Sequence, residues 1–231
     1  MSILGRRVAA AIAGALLLFI PLACGSSNPP SSSSSTAAAH ALAQELAALA
    51  NRGLGATWMV TFDFTRTTNS GSTLHDTVAA AHVAARVPID IDSGFGSLVA
   101  TVGTRRYSCT IVGDDPQCIQ TAVTGTTRPG AVYGGSVVGG RYTITRGPAQ
   151  AIAGVAAHCF FLKLRSGDPV SGIGFSSEQC YSSEGVPLRS RIQSSAGVDE
   201  RSAHVVTRTV GRAQLLALLS PYGLQRLAPT G

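Results

Sequence analysis

The side chains with enough chemistry to act in this chain are five cysteines, five histidines and a few closely spaced carboxylates. The histidines are His40, His75, His82, His158 and His204. They form no HxH or HExxH spacing, and no two stand four apart on one helix face. No CxxC pair occurs, so the cysteines do not read as a zinc site, and no metal or cofactor is expected. Asp90 and Asp92 would share a strand face and have the look of an acid–base pair, but Gly94 follows closely and the spacing reads as a strand running into a turn. His75-Asp76 lies among serines without the G-x-S-x-G turn that would expose a nucleophile. Gly134-Gly135 and Gly139-Gly140 lack the lysine of a phosphate-binding loop. The chain is therefore read as having no catalytic residue and as not being an enzyme.

The cysteines carry a different chemistry. Between His158 and Gln193 the sequence reads as three antiparallel strands. An aromatic run, Cys159 to Leu164, ends at Ser166-Gly167-Asp168-Pro169; a second run ends at Cys180-Tyr181; a third alternates Leu188 and Ile192 with Arg189 and Arg191. A Cys159–Cys180 disulfide would staple the first two. For Cys109 and Cys118 the register can be worked out. With Gly113-Asp114 as a two-residue II′ turn, Val112 faces Asp115 as a hydrogen-bonded pair, and Ile111 faces Pro116 where a missing N–H costs nothing. Cys109 then faces Cys118 at a non-hydrogen-bonded site, with a Cα separation of ~4.5 Å that a disulfide tolerates. Of three possible connectivities, 109–118 with 159–180 is the one expected.

The fifth cysteine, Cys24, follows a different pattern. Arg6-Arg7 precede an uninterrupted apolar run from Val8 to Leu22, shorter than the ~20 residues a membrane helix needs, so 1–23 reads as a signal peptide. Pro21-Leu22-Ala23-Cys24-Gly25-Ser26 resembles the lipobox of bacterial lipoproteins, in which the cysteine takes a diacylglycerol and palmitate-type acyl anchor. Pro21 stands where leucine is usual. Lipidation of Cys24 leaves four cysteines to pair, an even number that suits an exported protein. Residues 24–36, with the Ser/Pro run Gly25 to Ser35, read as the lipidated cysteine and a flexible tether, and 37–231 as one domain.

The elements that must position these groups are mostly strands. Charged residues make up 13% of the chain, about half the share of a typical soluble domain, while glycine is abundant, as in β-rich extracytoplasmic proteins. The net charge of +6 falls to +4 once Arg6 and Arg7 are set aside, and the rest is scattered with few aromatics, which argues against nucleic-acid binding. Thr36 would cap a helix from Ala37 to Arg52 with Leu42, Leu46 and Leu49 on one stripe. Trp58, Val60, Phe62 and Phe64 alternate as a half-buried strand. Thr77 to Asp92 reads as a long strand or a bent pair, with Val87, Ile89 and Ile91 on one face and Pro88 at an edge or bulge. Thr121 to Gly140 is the least legible part; Ala131 to Val138 reads as a short helix or a flap. Leu215 to Leu219 is a short apolar helix or strand.

This order of elements, and especially Ile89 to Gly94, Tyr107 to Cys109 with Cys118, and His158 to Arg189, resembles the lipoprotein-carrier-like superfamily of exported lipoproteins. The resemblance implies an α+β fold: a curled antiparallel sheet, or half-barrel, packed on an N-terminal helix and one or more short helices. It also implies a non-catalytic protein, anchored by its N-terminal lipid to the outside of the bacterial cell membrane, that binds or carries an acyl chain or lipid. Candidate cavity walls are Trp58, Val60, Phe62 and Phe64; Val87, Ile89 and Ile91; and Phe160, Leu162 and Leu164. The same residues could instead fill a core against the Leu42/Leu46/Leu49 helix. The alternative is then a tethered sensor or interaction module whose partner is an envelope protein.

Overall fold

The computed structural model describes residues 32–123, 129–138 and 140–229, so the expected signal peptide and Cys24 lie outside the described residues. Helix α1 (Ser32–Arg52) begins five residues before the expected Ala37, within the segment read as tether; Thr36 is inside it and is not its cap. Its Ala43, Leu46, Leu49 and Ala50 are buried, a stripe at helical spacing. A 3₁₀ turn, Gly53–Gly55, leads to β1 (Trp58–Thr68), and five hairpin-connected strands follow: β2 (Thr73–Val83), β3 (Ile89–Gly94), β4 (Ser97–Val102), β5 (Arg105–Val112) and β6 (Asp115–Ala122). The segment read as least legible holds α2 (Pro129–Val138). After it come β7 (Tyr142–Arg146), β8 (Gln150–Ile152), β9 (Val155–Leu164), β10 (Ser176–Tyr181), β11 (Pro187–Ser194) and β12 (Gly197–Thr207). Helix α3 (Arg212–Leu219) and two further 3₁₀ turns close the described chain.

Every strand pairing is antiparallel, in the order β6-β5-β4-β3-β2-β1-β12-β11-β10-β9-β7, with β8 attached to β9. The chain therefore builds outward from β1 to one edge, then returns from the other edge to close against β1 through β12. The fold is an α+β half-barrel, as expected. The hairpin register is the one Gly113-Asp114 implies: Val112 faces Asp115, Ile111 faces Pro116 and Cys109 faces Cys118. Gly113 has a φ of +65°, as a II′ turn requires. Both disulfides, Cys109–Cys118 and Cys159–Cys180, are formed.

Residues opposite one another in a ladder share a face, so the pairings assign the two faces of the sheet. On one face lie Val60, Phe62 and Phe64 of β1, Asp92 of β3, Arg201 and Asp199 of β12, Ile192 of β11 and Gln179 of β10. Phe160 and Leu162 of β9 and Ile144 of β7 continue it. Helix α1 covers the β7–β9 end of this face, where Leu46, Tyr142, Ile144, Phe160 and Leu162 form a core cluster. Gly185, between β10 and β11, lies so close to the Leu49 carbonyl that a Cβ would collide with it, and its φ of +85° also favours glycine. On the opposite face, α3 and the turns after it bury Leu215, Leu219 and Tyr222 against Ile89, Ile91, Leu98, Ala100 and Tyr107. The helices thus take opposite faces at opposite ends of one sheet.

Candidate functional site

Between these two covered ends the α1 face of β1, β12 and β11 is left open as a recess of about 480 Å³. Its floor includes Phe62, Phe64, Ala80 and Ile192, and Tyr133 of α2 stands at its side. Phe62 and Phe64 are each only 3% exposed because the alternation of β1 turns every second side chain into the sheet's covered face. Phe95 meets Phe64 edge to face, ring centres 4.6 Å apart, and braces it.

Charges line part of the wall. Arg66 makes a two-pronged pair with Asp199, 2.6 and 2.7 Å, and Arg201 grips both oxygens of Asp92 at 3.1 and 3.0 Å. Both guanidinium groups stand over the Phe64 ring, 5.6 and 5.8 Å from its centre. The hydrogen bond to Asp199 raises the Arg66 pKa above its ordinary value, against a smaller desolvation and with the help of the Asp199 charge. On the α2 side the wall is polar but uncharged. The Tyr133 and Tyr181 hydroxyls are 3.3 Å apart. Burial raises the Tyr133 pKa although the Tyr181 hydrogen bond opposes it; burial, reinforced by Tyr133, raises that of Tyr181 well above the ordinary phenol value. Gln179, 4% exposed, donates from its amide to Ser190 Oγ at 3.2 Å and also lines the recess. The arrangement is an aromatic floor beneath hydrogen-bonding and self-neutralised walls. It can hold an apolar body with a polar end.

The structure sorts the candidate wall residues into different places. Phe62 and Phe64 line the recess. Val60 is beside them but wholly buried, and Trp58 stacks on His82 with its indole N–H donated to the Gly53 carbonyl at 3.0 Å. Phe160, Leu162 and Leu164 share the face but are roofed by α1. The expectation for Val87, Ile89 and Ile91 is corrected. Val87 is 52% exposed in the turn between β2 and β3, while Ile89 and Ile91 point to the opposite face under α3. Alternation along β3 shows that two sets of side chains part, but not which face the helix-covered recess will occupy. Asp90 and Asp92 therefore hold the recess side: Asp92 binds Arg201, and Asp90 accepts from His82 Nδ1 at 2.6 Å.

The histidines singled out for chemistry lie elsewhere. His75 meets Thr65 at 3.2 Å and His204 lies 3.8 Å from Asp63; the ladder puts Thr65 and Asp63 on the face away from the recess. Cys159, Glu178 and Cys180 cluster as metal ligands would, but the two sulfurs are consumed in the disulfide. Sequence reasoning missed Arg66, Asp199, Arg201, Gln179 and Tyr133. The available signal was the Arg–Asp complementarity between β1, β3 and β12, which becomes readable only once their pairing is known.

No family model matches the chain, and no curated protein does. Among solved structures, a chain of the Pseudomonas aeruginosa MucA/MucB complex matches at a TM-score of 0.51 and 13% identity, over 76% of this chain and 60% of that one. The likeness is one of fold. That fold is the curled antiparallel sheet with packed helices described above. A second structure, MucB in complex with MucA(peri), matches at 0.48 and 14% identity over 74% of this chain and 56% of that one. The Mycobacterium tuberculosis lipoprotein LppX matches at 0.39 and 12% identity over 78% and 99%. The chain thus spans less than two thirds of the MucB chains it matches. Among the described residues no helix is long and apolar enough to cross a membrane, and the two disulfides fit an extracytoplasmic location.

Proposed function

We propose that the chain is a lipid-anchored extracytoplasmic lipoprotein, tethered through Cys24, that binds a hydrophobic ligand in the half-barrel without catalysis. The observation that carries this reading is the recess itself, an aromatic-floored space of about 480 Å³ on the helix-bearing face. A recess of that size with an apolar floor suits an acyl chain. Binding would draw on ~0.8 kcal/mol for each methylene removed from water. The Arg66–Asp199 and Arg201–Asp92 pairs already satisfy each other, so a ligand head need not be charged to be accepted at the wall.

The test is native mass spectrometry of the protein purified from a bacterial envelope, followed by lipid extraction under denaturing conditions. The expected result is a single-chain lipid released on denaturation and lost in Ala80→Phe, which fills the recess. A clean ligand-free mass, with no uptake of offered fatty acids, would overturn the carrier reading. It would bring forward the second one, an envelope module that binds another protein. The MucA/MucB likeness supports that second reading, since the matched structure is itself a protein–protein complex.

A further inference from the structure

The course of α1 and the placement of unpaired cations identify one end of the sheet as different from the other. The C-terminal end of α1 is held at the β10–β11 turn, where Leu49 meets Gly185 and Arg52 donates to the Ser183 carbonyl. One turn earlier Glu45 pairs with Arg146, opposite Phe160 in the sheet. Earlier still, Ala39 and Leu42 pack in the cluster that contains Leu164, Val170 and Ile173. The helix therefore runs back along β9 from its start toward its finish. Its 21 residues, ~31 Å at the helical rise, bring Ser32 to the end where β9 gives way to β10.

Three exposed cations stand at that end: Arg141, Lys163 and Arg165. They are neighbours, because Arg165 N–H donates to the Arg141 carbonyl at 2.8 Å and Lys163 faces Thr143 in the ladder. Among the described residues none of the three has an ion-pair partner, whereas Arg66, Arg146, Arg189, Arg191, Arg201 and Arg208 all do. Asp168 is the acid of the same loop, so the local balance remains positive. Phe175, 40% exposed, sits among them, its carbonyl accepting from Leu164 N–H at 2.8 Å. The recess reaches the same end through Gly172, Ile192 and Asp199.

We infer that this end is a docking surface for an anionic phospholipid bilayer, and that the recess exchanges its ligand with the membrane through it. The inference rests on the proposed anchor: the eight residues from Cys24 to Ser31 span at most ~28 Å, so a lipid on Cys24 keeps the start of α1 close to the headgroups. Cations beside an exposed aromatic ring match what an anionic interface attracts. Each cation at such a surface strengthens attachment about fivefold, and three together on the order of a hundredfold. The opposite end of the sheet carries its own unpaired trio, Arg86, Arg105 and Arg106. Its distance from the start of α1 keeps it off the membrane and makes it a charge-matched control.

The experiment places the full-length protein, purified from membranes, in vesicles of phosphatidylcholine with or without phosphatidylglycerol, and follows backbone hydrogen exchange. The expected result is slowed exchange in residues 163–176 only with phosphatidylglycerol. It should vanish in high salt and in the triple variant Arg141→Gln, Lys163→Gln, Arg165→Gln, but persist in Arg86→Gln, Arg105→Gln, Arg106→Gln. Equal exchange in both vesicle types, or protection of the opposite end, would overturn the inference. The intact mass of the same sample tests the anchor separately. If Cys24 carries no lipid, co-sedimentation of the chain with phosphatidylglycerol vesicles still decides the surface: about a hundredfold loss in the first triple variant supports it, and no loss refutes it.

Discussion

The two covered ends of the sheet solve the same problem on opposite faces. At the β7–β10 end, α1 buries Leu46 and Leu49 against Phe160 and Leu162; at the β3–β5 end, α3 buries Leu215 and Leu219 against Ile91 and Leu98. Had both helices shared a face, they would together have roofed β1 and β12 and filled the space above Phe62 and Phe64, which at 3% exposure already pack in a core cluster. Because they do not, the middle of the α1 face has a floor without a lid. The recess is thus a consequence of where the second helix packs, not of any unusual residue in the floor.

The two disulfides repeat the contrast. Cys159 and Cys180 are buried at 1% and 0% exposure and close a separation of 21 residues at the α1 end; Cys109 and Cys118 close 9 residues at an edge strand exposed along its whole length. Replacing both cysteines of the inner bridge by alanine should cost ~4 kcal/mol, and of the outer bridge ~2–3 kcal/mol, the loop-entropy difference being increased by burial. Denaturant melts of the two double variants check this; equal losses would show that burial adds nothing.

Cavity-forming changes sharpen the comparison next. Leu46→Ala and Leu219→Ala, both fully buried, should each destabilise by ~3 kcal/mol. Only Leu46→Ala should also weaken uptake of an offered fatty acid, since Leu46 belongs to the cluster that supports Tyr133 at the recess, whereas no α3 residue lines it. A loss of uptake in Leu219→Ala would mean the two faces are coupled.

A smaller effect belongs to His82, 2% exposed, which has acceptors at both ring nitrogens: Asp90 at 2.6 Å and the Leu54 carbonyl at 2.9 Å. Two acceptors call for two ring protons. Burial opposes the charge, but the hydrogen bond and charge of Asp90 and the Leu54 carbonyl outweigh it, so the pKa stands above the ordinary 6.5. A raised folded-state pKa gives stability that is complete below 6.5 and is lost as pH rises through the folded value. His82→Gln should cost ~2 kcal/mol in acid, as a charged hydrogen bond does, and should flatten the dependence of melting temperature on pH in this range. An unchanged pH slope would remove His82 from the account.

The smallest change is expected at the recess wall. Arg201→Ala removes a pair whose partners are 36% and 51% exposed, and should cost less than ~1 kcal/mol. Its effect on ligand uptake would be the informative readout, because the Arg201 side chain also covers Phe64.

Local chemistry was enough to write much of this down beforehand. Gly113, Asp114 and Pro116 set the hairpin register, and with it Cys109 opposite Cys118, because turn type and a missing N–H act over a few residues. The period-two run from Trp58 to Phe64 likewise announced a strand with one buried face. Less legible were features whose cause lies far along the chain. The bend after Val83 left Val87 in solvent, and α2 formed in a Gly-rich stretch whose Gly130 packs against the Ala47 carbonyl of α1 and whose N–H is accepted by Asn51.

What the sequence determined by itself, then, is the alternation of several strands, the cysteine pairing and the apolar stripe of the first helix. These follow from backbone geometry and near-neighbour sterics. Which face each alternating set would occupy was decided only in the tertiary structure. A strand has two faces of equal backbone energy, and the choice is made by the helix that comes to cover one of them. Ile91 went under α3 and Phe64 came to floor the recess on the other face, although the two read alike in the chain.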